Sequence, residues 1–556
     1  MTAEFLRALT DAPPALKQRR WLFVAPDQLN DGLGPLASEP ADELGIVLVE
    51  SAWKAAQRPY HKQKLALVLA NQRHFALEQS RRGVAVRYLF TDQPYGSALR
   101  EVAEELGALR ALRPAERELR AELAPLAGEG LVELLDHDGW LTSEDDFRAA
   151  AGDGPPWRMD AFYRHVRRRT GLLMDERGKP LGGKFSHDAD NRKPWRGEPE
   201  APAPPGFEPD AVTREVGELV ETRFAHHPGT LRLDELPATL EDAERSWAWA
   251  RSACLESFGP YEDAMSTRSA SLFHTRISSL LNLHRLLPRR VLDDVVQMDL
   301  PLGSQEGFVR QLLGWREFVR HVHAHTDGFR ELPGVDVSQA ERPGDGGFGR
   351  WRGEEWSAEV PPAAGGAAPS ALDAGVPLPV AYWGERSGLA CLDHTVTEVL
   401  EHGYTHHIPR LMVLANIGTL LGVSPRELTD WFWVTFTDAY DWVVEPNVLA
   451  MGTYAAGDVM TTKPYVSGGA YLNRMGDFCS GCAFDPKRDC PLTRMYWAFL
   501  DRNAERLAGN PRVRVPLAAL AKRDPGKRAG DLEVHRRVVA ALGNGQELRP
   551  DALAEA

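Results

Sequence analysis

The amino-acid sequence predicts an α/β N-terminal domain on a parallel, Rossmann-like sheet, followed by a large all-α domain with a four-cysteine site. Three features lead to this prediction. Short apolar runs alternate with helical patterns over the first 150 residues, apolar residues recur at helical spacing from about residue 240, and four of the five cysteines lie between Cys391 and Cys490. A chain of 556 residues is too long for one core. We therefore expect an α/β domain at 1–150, a connector at 151–240 and a helical domain at 241–556.

The composition is typical of a soluble globular protein. Hydrophobic residues make up 43% and charged residues 26%, and no run of about eighteen apolar residues predicts a membrane span. The first residues, MTAEFLRALTDAPP, lack the apolar centre of a signal peptide. The formal net charge of −14 argues against indiscriminate nucleic-acid binding. We expect a cytoplasmic protein.

The first domain shows strands separated by helices, which is typical of a parallel sheet covered on both faces. Strands are predicted at Trp21–Ala25, Gly45–Glu50, Val84–Phe90, Leu109–Leu112 and Leu131–Leu135, with helices at Tyr60–Arg81 and Gly96–Leu106. Ligands of such sheets bind at the carboxyl ends of the strands. The loops at that edge carry Asp27-Gln28-Leu29 and Ser51-Ala52-Trp53. No G-x-G-x-x-G follows the first strand, so the dinucleotide fingerprint is absent.

The connector is interrupted by turns and contains a basic stretch. Residues 157–196 hold eleven Lys or Arg against five Asp or Glu, which indicates either a solvated basic face or a surface for a phosphate backbone. Helices are then predicted at Leu280–Leu287, Phe308–His323, Leu392–His402, His406–Leu421 and Pro425–Trp442, the last opened by a capping box at Ser424. Residues 332–378, rich in Gly, Pro and Ala, predict a poorly ordered insertion or a lid.

The cysteines suggest a metal centre. Cys479 and Cys482 form a C-x2-C pair, Cys490 precedes a proline, and Cys391 is a remote fourth thiol. Four thiolates suit an iron–sulfur cluster or a structural zinc ion. A single C-x2-C pair with a Cys-Pro and a distant ligand favours the cluster, since zinc sites more often use two C-x2-C pairs. Unrelated buried cysteines remain an alternative.

Several motifs together identify a family. They are Tyr60-His61-Lys62-Gln63-Lys64 with Arg73-His74-Phe75-Ala76, Met159-Asp160-Ala161-Phe162-Tyr163-Arg164, Gly182-Gly183-Lys184 with Asp190-Asn191-Arg192, Leu272-Phe273-His274, Gly314-Trp315-Arg316-Glu317, Gly403-Tyr404-Thr405-His406-His407, Asp438-Ala439-Tyr440-Asp441-Trp442, Pro446-Asn447 and Thr462-Lys463-Pro464-Tyr465. Over residues 20–505 the sequence resembles the photolyase/cryptochrome superfamily, within it the bacterial iron–sulfur branch that includes (6-4) photolyases.

The resemblance implies a light-driven DNA photolyase that splits UV-induced (6-4) pyrimidine photoproducts by electron transfer from reduced FAD. The alternative within the family is a cryptochrome-like blue-light photoreceptor with little repair activity. The helical domain would hold FAD and a [4Fe-4S] cluster, and the α/β domain would hold an antenna, 6,7-dimethyl-8-ribityllumazine. The partner would be UV-damaged DNA, bound by a monomer. A third hypothesis is a cluster-containing nucleic-acid protein without flavin, similar to the cluster domain of primases.

The resemblance also implies roles for particular residues. The cluster ligands would be Cys391, Cys479, Cys482 and Cys490. His407 would donate a proton to the lesion, with His406 as its partner and Tyr465 in the same pocket. The remaining implied residues are the FAD neighbours Phe273, His274, Thr275, Ser278, Arg310, Gln311 and Asn447, the electron-relay residues Trp383 and Trp431, and the antenna neighbours Asp27, Gln28 and Glu50 with the segment Tyr60–Lys64.

The chain departs from the family pattern at four positions near these motifs. Thr405 and Pro409 flank the histidine pair, His284 stands where glycine is common, and Ala456 replaces an aspartate. We expect Pro409 to be tolerated within a first helical turn. The missing aspartate bears on loop geometry and substrate choice rather than on the fold.

Overall fold

A computed structural model of the protein describes residues 3–9, 19–356 and 365–554. It contains a five-stranded sheet with the order β3-β2-β1-β4-β5, in which every neighbouring pair is parallel. The strands are β1 (Arg20–Phe23), β2 (Leu44–Ser51), β3 (Ala85–Thr91), β4 (Leu109–Leu112) and β5 (Val132–Leu135). All five predicted strands and their parallel arrangement are confirmed.

Both faces of the sheet are covered by helices, and the inner strand β2, which lies between β3 and β1, accordingly shows no polar alternation. Every residue of β2 is buried, as expected of a strand packed between two layers. Helix Lys62–Arg81 covers one face through Phe75 and Ala76, and helices Tyr95–Leu106 and Arg117–Gly128 cover the other. Helices cover the two faces of the sheet, so it is the loops at the carboxyl ends of the strands that meet the helical part of the chain.

The rest of the chain is predominantly helical. The other α-helices are Ala3–Ala8, Gly34–Ser38, Ala52–Ala56, Glu144–Ala151, Met159–Thr170, Ala211–Arg223, Leu240–Trp249, Leu255–Phe258, Ser278–Asn282, Pro288–Gln297, Leu302–Val309, Glu317–His325, Phe348–Arg352, Ala390–His402, Asn416–Leu421, Pro425–Thr435, Asp441–Val444, Gly469–Met475, Pro491–Arg502, Ala504–Leu507, Arg514–Ala521, Pro525–Gly543 and Pro550–Ala554. Among the described residues, no helix has both the length and the apolar character that crossing a membrane requires. The predicted division at residues 150 and 240 stays a prediction.

Two predicted helices are too long. The helix predicted to reach Leu287 ends at Asn282, because His284 adopts a left-handed conformation (φ 56°) and its Nδ1 contacts the carbonyl oxygen of Asp27 at 2.6 Å. The helix predicted to reach Trp442 ends at Thr435. The chain then turns and brings the Asp438 carboxylate to Arg410. In both cases a polar contact distant in sequence overrides the local helical pattern.

In its described parts the segment 332–378 is exposed at 333–336 and packed around helix Phe348–Arg352, and the prediction of a poorly ordered insertion or a lid stays a prediction. Helix Phe348–Arg352 lies against Trp383, with the Phe348 and Trp383 rings 5.0 Å apart. The remainder of the predicted insertion, residues 357–364, lies outside the described residues. The aromatic residues of this glycine-rich segment anchor it to the helical core.

Four helical segments have the wider π-helical turn: Ala250–Cys254, Arg310–Arg316, Pro409–Ala415 and Glu445–Gly452. Such turns are rare and are frequent at functional sites. Three of these segments contain or directly follow residues with predicted functions, namely Arg310, His407 and Asn447. Pro409 lies in the first turn of its segment, as predicted.

Candidate functional site

Three histidines meet where the chain re-enters a helix after Gly403. The His406 ring stacks on His274 with centroids 4.1 Å apart and planes 12° apart, and the His407 ring lies edge-on to His274 at 5.1 Å. The loop that carries His274 is bracketed by two residues with positive φ, Leu272 (45°) and Arg276 (54°). Backbone strain of this kind persists where surrounding contacts impose it and is frequent at functional sites.

This histidine cluster is better suited to hydrogen bonding than to holding one metal ion. One ring nitrogen from each of the three lies within 4.8 Å of the others. An imidazole, however, binds an ion in the plane of its ring, and the stacked planes of His274 and His406 do not converge on one point. We therefore assign no metal ion to it.

The protein environment keeps these imidazoles neutral at pH 7. Burial lowers the pKa of His274 to about 3 and that of His406 well below its usual range. His407 is exposed, yet the protein that surrounds its ring, with Arg310 and Arg410 nearby, lowers the pKa of His407 to about 4, although Asp188 opposes the shift. None of the three histidines therefore titrates near neutrality. An anion raises the pKa of a nearby imidazole, so the binding of an anionic ligand would favour protonation of His407.

The buried histidines predict a pH-dependent stability. Because the folded-state pKa of His274 lies below the unfolded value of about 6.5, its contribution to the free energy of unfolding is complete above pH 6.5 and lost as the pH falls. The variant His274→Asn is expected to unfold in urea with a weaker pH dependence, by up to about 1.4 kcal/mol per pH unit between pH 6.5 and 4. Asp27→Asn should change the dependence in the opposite sense, since burial raises the pKa of Asp27 to about 7. An unchanged slope in His274→Asn would contradict the neutral buried state.

Arg310 forms a second wall of the site but is held by protein carboxylates. Its guanidinium lies 3.6 Å from Asp188, 3.2 Å from Glu262 and 3.4 Å from Glu306. Gln311 donates to Glu262 at 2.6 Å. The structure thus places both predicted flavin neighbours beside the histidine cluster, and a phosphate would have to compete with these carboxylates.

A partly buried ion pair joins the helix after His407 to the loop at 436–440. Arg410 donates to both oxygens of Asp438, at 2.8 and 3.1 Å, and Asp438 also accepts from the Ser278 hydroxyl at 2.6 Å. Sequence reasoning did not select Arg410. One feature pointed to it: its position three residues after His407, which places both on one side of a helix. Asp188 was missed because it lies within the stretch interpreted as basic.

The other residues predicted for this site are Tyr465, Thr275, Phe273 and Asn447, and their contacts differ. Tyr465 is half-buried, and burial together with Asp188, which also acts on His407, raises its pKa. Thr275 lines a neighbouring groove that also contains Tyr404. Two side chains have other partners: Phe273 packs on Tyr261 at 5.2 Å, and the Asn447 amide donates to the carbonyl of Val443 in its own helix.

The two predicted relay tryptophans are buried neighbours. The ring centroids of Trp383 and Trp431 are 6.4 Å apart, and each indole N–H donates to a backbone carbonyl at 2.8 Å. Trp431 contacts the ring of Phe436 at 6.0 Å, and the guanidinium of Arg410 lies 4.1 Å from that ring. The indole pair therefore connects to the Arg410–Asp438 ion pair.

Two of the three predicted antenna neighbours lie together at the carboxyl end of the sheet. Asp27 is buried, and its Oδ1 has no hydrogen-bond partner among the described residues. Gln28 is also buried and donates to the carbonyl of Leu112 at 3.3 Å. Glu50 is engaged separately, since both its oxygens accept from Arg73 and one accepts from the Tyr88 hydroxyl. A polar ligand bound at this edge would contact Asp27 more readily than Glu50, because both Glu50 oxygens already accept hydrogen bonds.

The four predicted cluster cysteines converge from three helical elements, and none is in a disulfide. After burial, the neighbouring thiols of Cys490, Cys482 and Cys479 raise the pKa of Cys391 well above its usual value, which shows their proximity. Among the described residues, only the histidine cluster brings three ligand atoms within 4.8 Å. Zinc–sulfur bonds of about 2.3 Å would place the sulfurs about 3.8 Å apart. Among the described residues, no three of the four thiols show that spacing.

The basic stretch is partly neutralised. Arg167 is buried and donates to the carbonyls of Leu172, Leu173 and Phe185. Arg192 pairs with Asp188. The stretch is therefore in part a structural element, not a uniformly positive surface.

Comparison with known proteins gives a consistent result. A family model described as deoxyribodipyrimidine photo-lyase-related protein matches residues 22–235. A (6-4) photolyase of Agrobacterium fabrum is 33% identical over 519 residues, covering 90% of this chain and 95% of that protein. The fold is similar to a bacterial class III photolyase from Agrobacterium tumefaciens, with a TM-score of 0.52, 15% identity and coverage of 95% of this chain and 99% of the other. It is also similar to a cryptochrome of Synechocystis sp. PCC6803, with a TM-score of 0.52, 14% identity and coverage of 84% and 87%.

Proposed function

Because the chain belongs to the photolyase/cryptochrome superfamily, we propose that it is a light-driven DNA photolyase that uses FAD to split (6-4) pyrimidine photoproducts. The observation that carries the proposal is the histidine cluster, in which the exposed His407 lies against the buried pair His274 and His406. This arrangement offers one reachable imidazole in a site that otherwise excludes water. The relative named a (6-4) photolyase directs the proposal to that lesion.

The donor set is compatible with FAD. His274 is buried, yet its Nε2 has no hydrogen-bond partner among the described residues, and buried polar atoms nearly always have one. Ser278, Arg310 and Gln311 supply further polar groups, and with His274 they would hold the cofactor. FAD, when bound, supplies the electron that light transfers to the lesion.

The protein's own residues then manage position and protons. The low pKa of His407 keeps its ring neutral until DNA phosphates and the lesion raise that pKa, and the ring that is then protonated can donate from nitrogen to the lesion. Tyr465 is within the electrostatic reach of the same Asp188 and would orient the lesion through its hydroxyl. The carboxylates around Arg310 hold its guanidinium in place.

We further infer a [4Fe-4S] cluster on Cys391, Cys479, Cys482 and Cys490, supported by the convergence of four free thiols and by the single C-x2-C pair followed by a Cys-Pro. The carboxyl edge of the sheet would hold 6,7-dimethyl-8-ribityllumazine. Support for that site is the buried Asp27, whose partnerless oxygen can accept from a ribityl hydroxyl.

A cryptochrome-like photoreceptor with little repair is the second candidate. The buried tryptophan pair favours it, because indoles 6.4 Å apart support electron transfer to a flavin without any lesion. A primase-like cluster protein would contain no flavin, so flavin released on denaturation would exclude that hypothesis.

The deciding experiment is repair of an oligonucleotide that carries one (6-4) photoproduct, beside another that carries a cyclobutane dimer. Reduced protein is illuminated with blue light, and a dark sample is the control. We expect light-dependent reversal of the (6-4) lesion alone. No reversal of either lesion by protein with intact flavin would contradict the photolyase proposal and support the photoreceptor.

A further inference from the structure

Three basic side chains without a carboxylate partner lie where the chain enters its C-terminal helices. Lys463, Arg512 and Arg514 are exposed, and none of them forms an ion pair with another of the described residues. We call these three residues the basic patch. An exposed cation is usually no more than a solvated group, so the position of the patch decides whether it has a partner.

One side chain, that of Asn510, joins the two segments that carry the basic patch. Its amide nitrogen donates to the carbonyl oxygen of Thr462 at 3.0 Å and to the Tyr454 hydroxyl at 3.2 Å. Its oxygen accepts from the backbone N–H of Arg512 at 2.9 Å. Thr462 directly precedes Lys463. The three hydrogen bonds therefore hold the backbone of Lys463 beside that of Arg512, although about 50 residues separate them in sequence.

The basic patch borders the lesion site proposed above. Lys463 precedes Tyr465 by two residues. Burial and Asp188 raise the pKa of Tyr465, and Arg512 opposes that shift, so Arg512 lies within electrostatic reach of the Tyr465 hydroxyl. Asp188 also acts on His407. A DNA strand whose lesion reaches His407 would therefore run close to the patch.

The composition of this surface suits a nucleic-acid backbone. Guanidinium and ammonium groups bind phosphate oxygens. Val515, the neighbour of Arg514, is 79% exposed, the largest value among the exposed large apolar side chains of the described residues, and it offers an apolar contact to deoxyribose. The basic stretch at 157–196 is less able to serve, because Arg167 is buried against backbone carbonyls and Arg192 is paired with Asp188. On a chain with a net charge of −14, DNA needs such a local group of unpaired cations.

We propose that Lys463, Arg512 and Arg514 bind backbone phosphates of the DNA strand that carries the lesion, beside the point where the damaged bases leave the duplex. This inference rests on damaged DNA as the substrate proposed above. Each cation that neutralises a phosphate releases condensed counterions, so the contacts make binding depend on the salt concentration. Phosphates carry no direct sequence information. The basic patch therefore positions the strand on damaged and undamaged DNA alike.

Binding in the dark tests the proposal without any light-driven step. Fluorescence anisotropy of a labelled duplex with one (6-4) photoproduct gives the binding constant between about 50 and 200 mM salt. Lys463→Gln, Arg512→Gln and Arg514→Gln should each lower the slope of log binding constant against log salt by about 0.9. The triple variant should lower it by about three times as much and weaken binding at about 100 mM salt at least about 100-fold. An undamaged duplex should show the same loss of slope. Arg512→Lys keeps the charge and should keep the wild-type slope.

Arg81→Gln is the matched control. Arg81 is also exposed and forms no ion pair with another of the described residues, but it ends helix Lys62–Arg81 near the amino end of β3, at the edge of the sheet opposite to the helical part. Its slope should equal that of wild type. A wild-type slope in the triple variant would overturn the inference and favour an acidic protein as the partner of the basic patch. A slope lowered as much by Arg81→Gln as by Arg512→Gln would also overturn it, because the effect would then be one of overall charge. The expected loss of slope, in a protein that repairs neither lesion in light, would instead overturn the proposed function alone.

Discussion

Replacing His407 by alanine is expected to lower the rate of (6-4) photoproduct repair at least about 100-fold, the usual contribution of a positioned general acid. His407 is the exposed member of the histidine cluster, and His274 and His406 are too buried to reach a lesion without moving. Repair is measured by chromatography of the illuminated oligonucleotide. Flavin content and photoreduction should remain at wild-type levels, since these do not require the proton.

The control for this variant is His402→Ala. His402 contacts Glu235 at 2.9 Å and Glu401 at 3.7 Å at the end of the preceding helix, so its loss removes partly exposed polar contacts. Repair by His402→Ala should stay within about twofold of wild type, since exposed ion pairs contribute about 0–1 kcal/mol. Wild-type repair by His407→Ala would refute the acid role. Loss of flavin from His407→Ala would show a binding role instead.

Replacing Cys391 by alanine is expected to remove the proposed cluster and to destabilise the helical domain strongly. Cys391 lies near the start of helix Ala390–His402, in the same hydrophobic core as Phe478 and Met495. A cluster there would tie this helix to the turn Phe478–Gly481 and to helix Pro491–Arg502. Wild-type protein should contain about four iron atoms and four acid-labile sulfides per chain. The variant should lose both, with a melting temperature lower by several degrees or more.

Cys254→Ala is the matched control, because Cys254 is a buried cysteine outside this group. Its iron content should equal that of wild type. If Cys391→Ala cannot be purified, Cys490→Ser tests the same site from its partly exposed side. Zinc in place of iron in wild-type protein would refute the cluster. Full iron content in both variants would exclude these thiols as ligands.

The strands and most helix starts follow from local pattern. Apolar runs such as that of β2 require burial on both faces, and Ser424 caps helix Pro425–Thr435 by accepting from the Glu427 N–H. The helix ends at Asn282 and Thr435 do not follow from local pattern. There, His284 and Asp438 make contacts with Asp27 and Arg410, 257 and 28 residues away in sequence. Local periodicity carries no information about such partners.

The candidate site divides in the same way. The spacing of the cysteines points to a thiolate site, whereas His406 and His407 are selected only by the family motif that contains them. Only the tertiary structure shows that His274 stacks on His406, that Arg310 is held by three carboxylates, and that Trp351 continues the tryptophan pair. These arrangements depend on how distant helices pack. Packing sets the pKa of each imidazole, because it determines how deeply the ring is buried and which charged groups lie near it. The charge state of the histidines and the path of the electron are therefore properties of the folded chain.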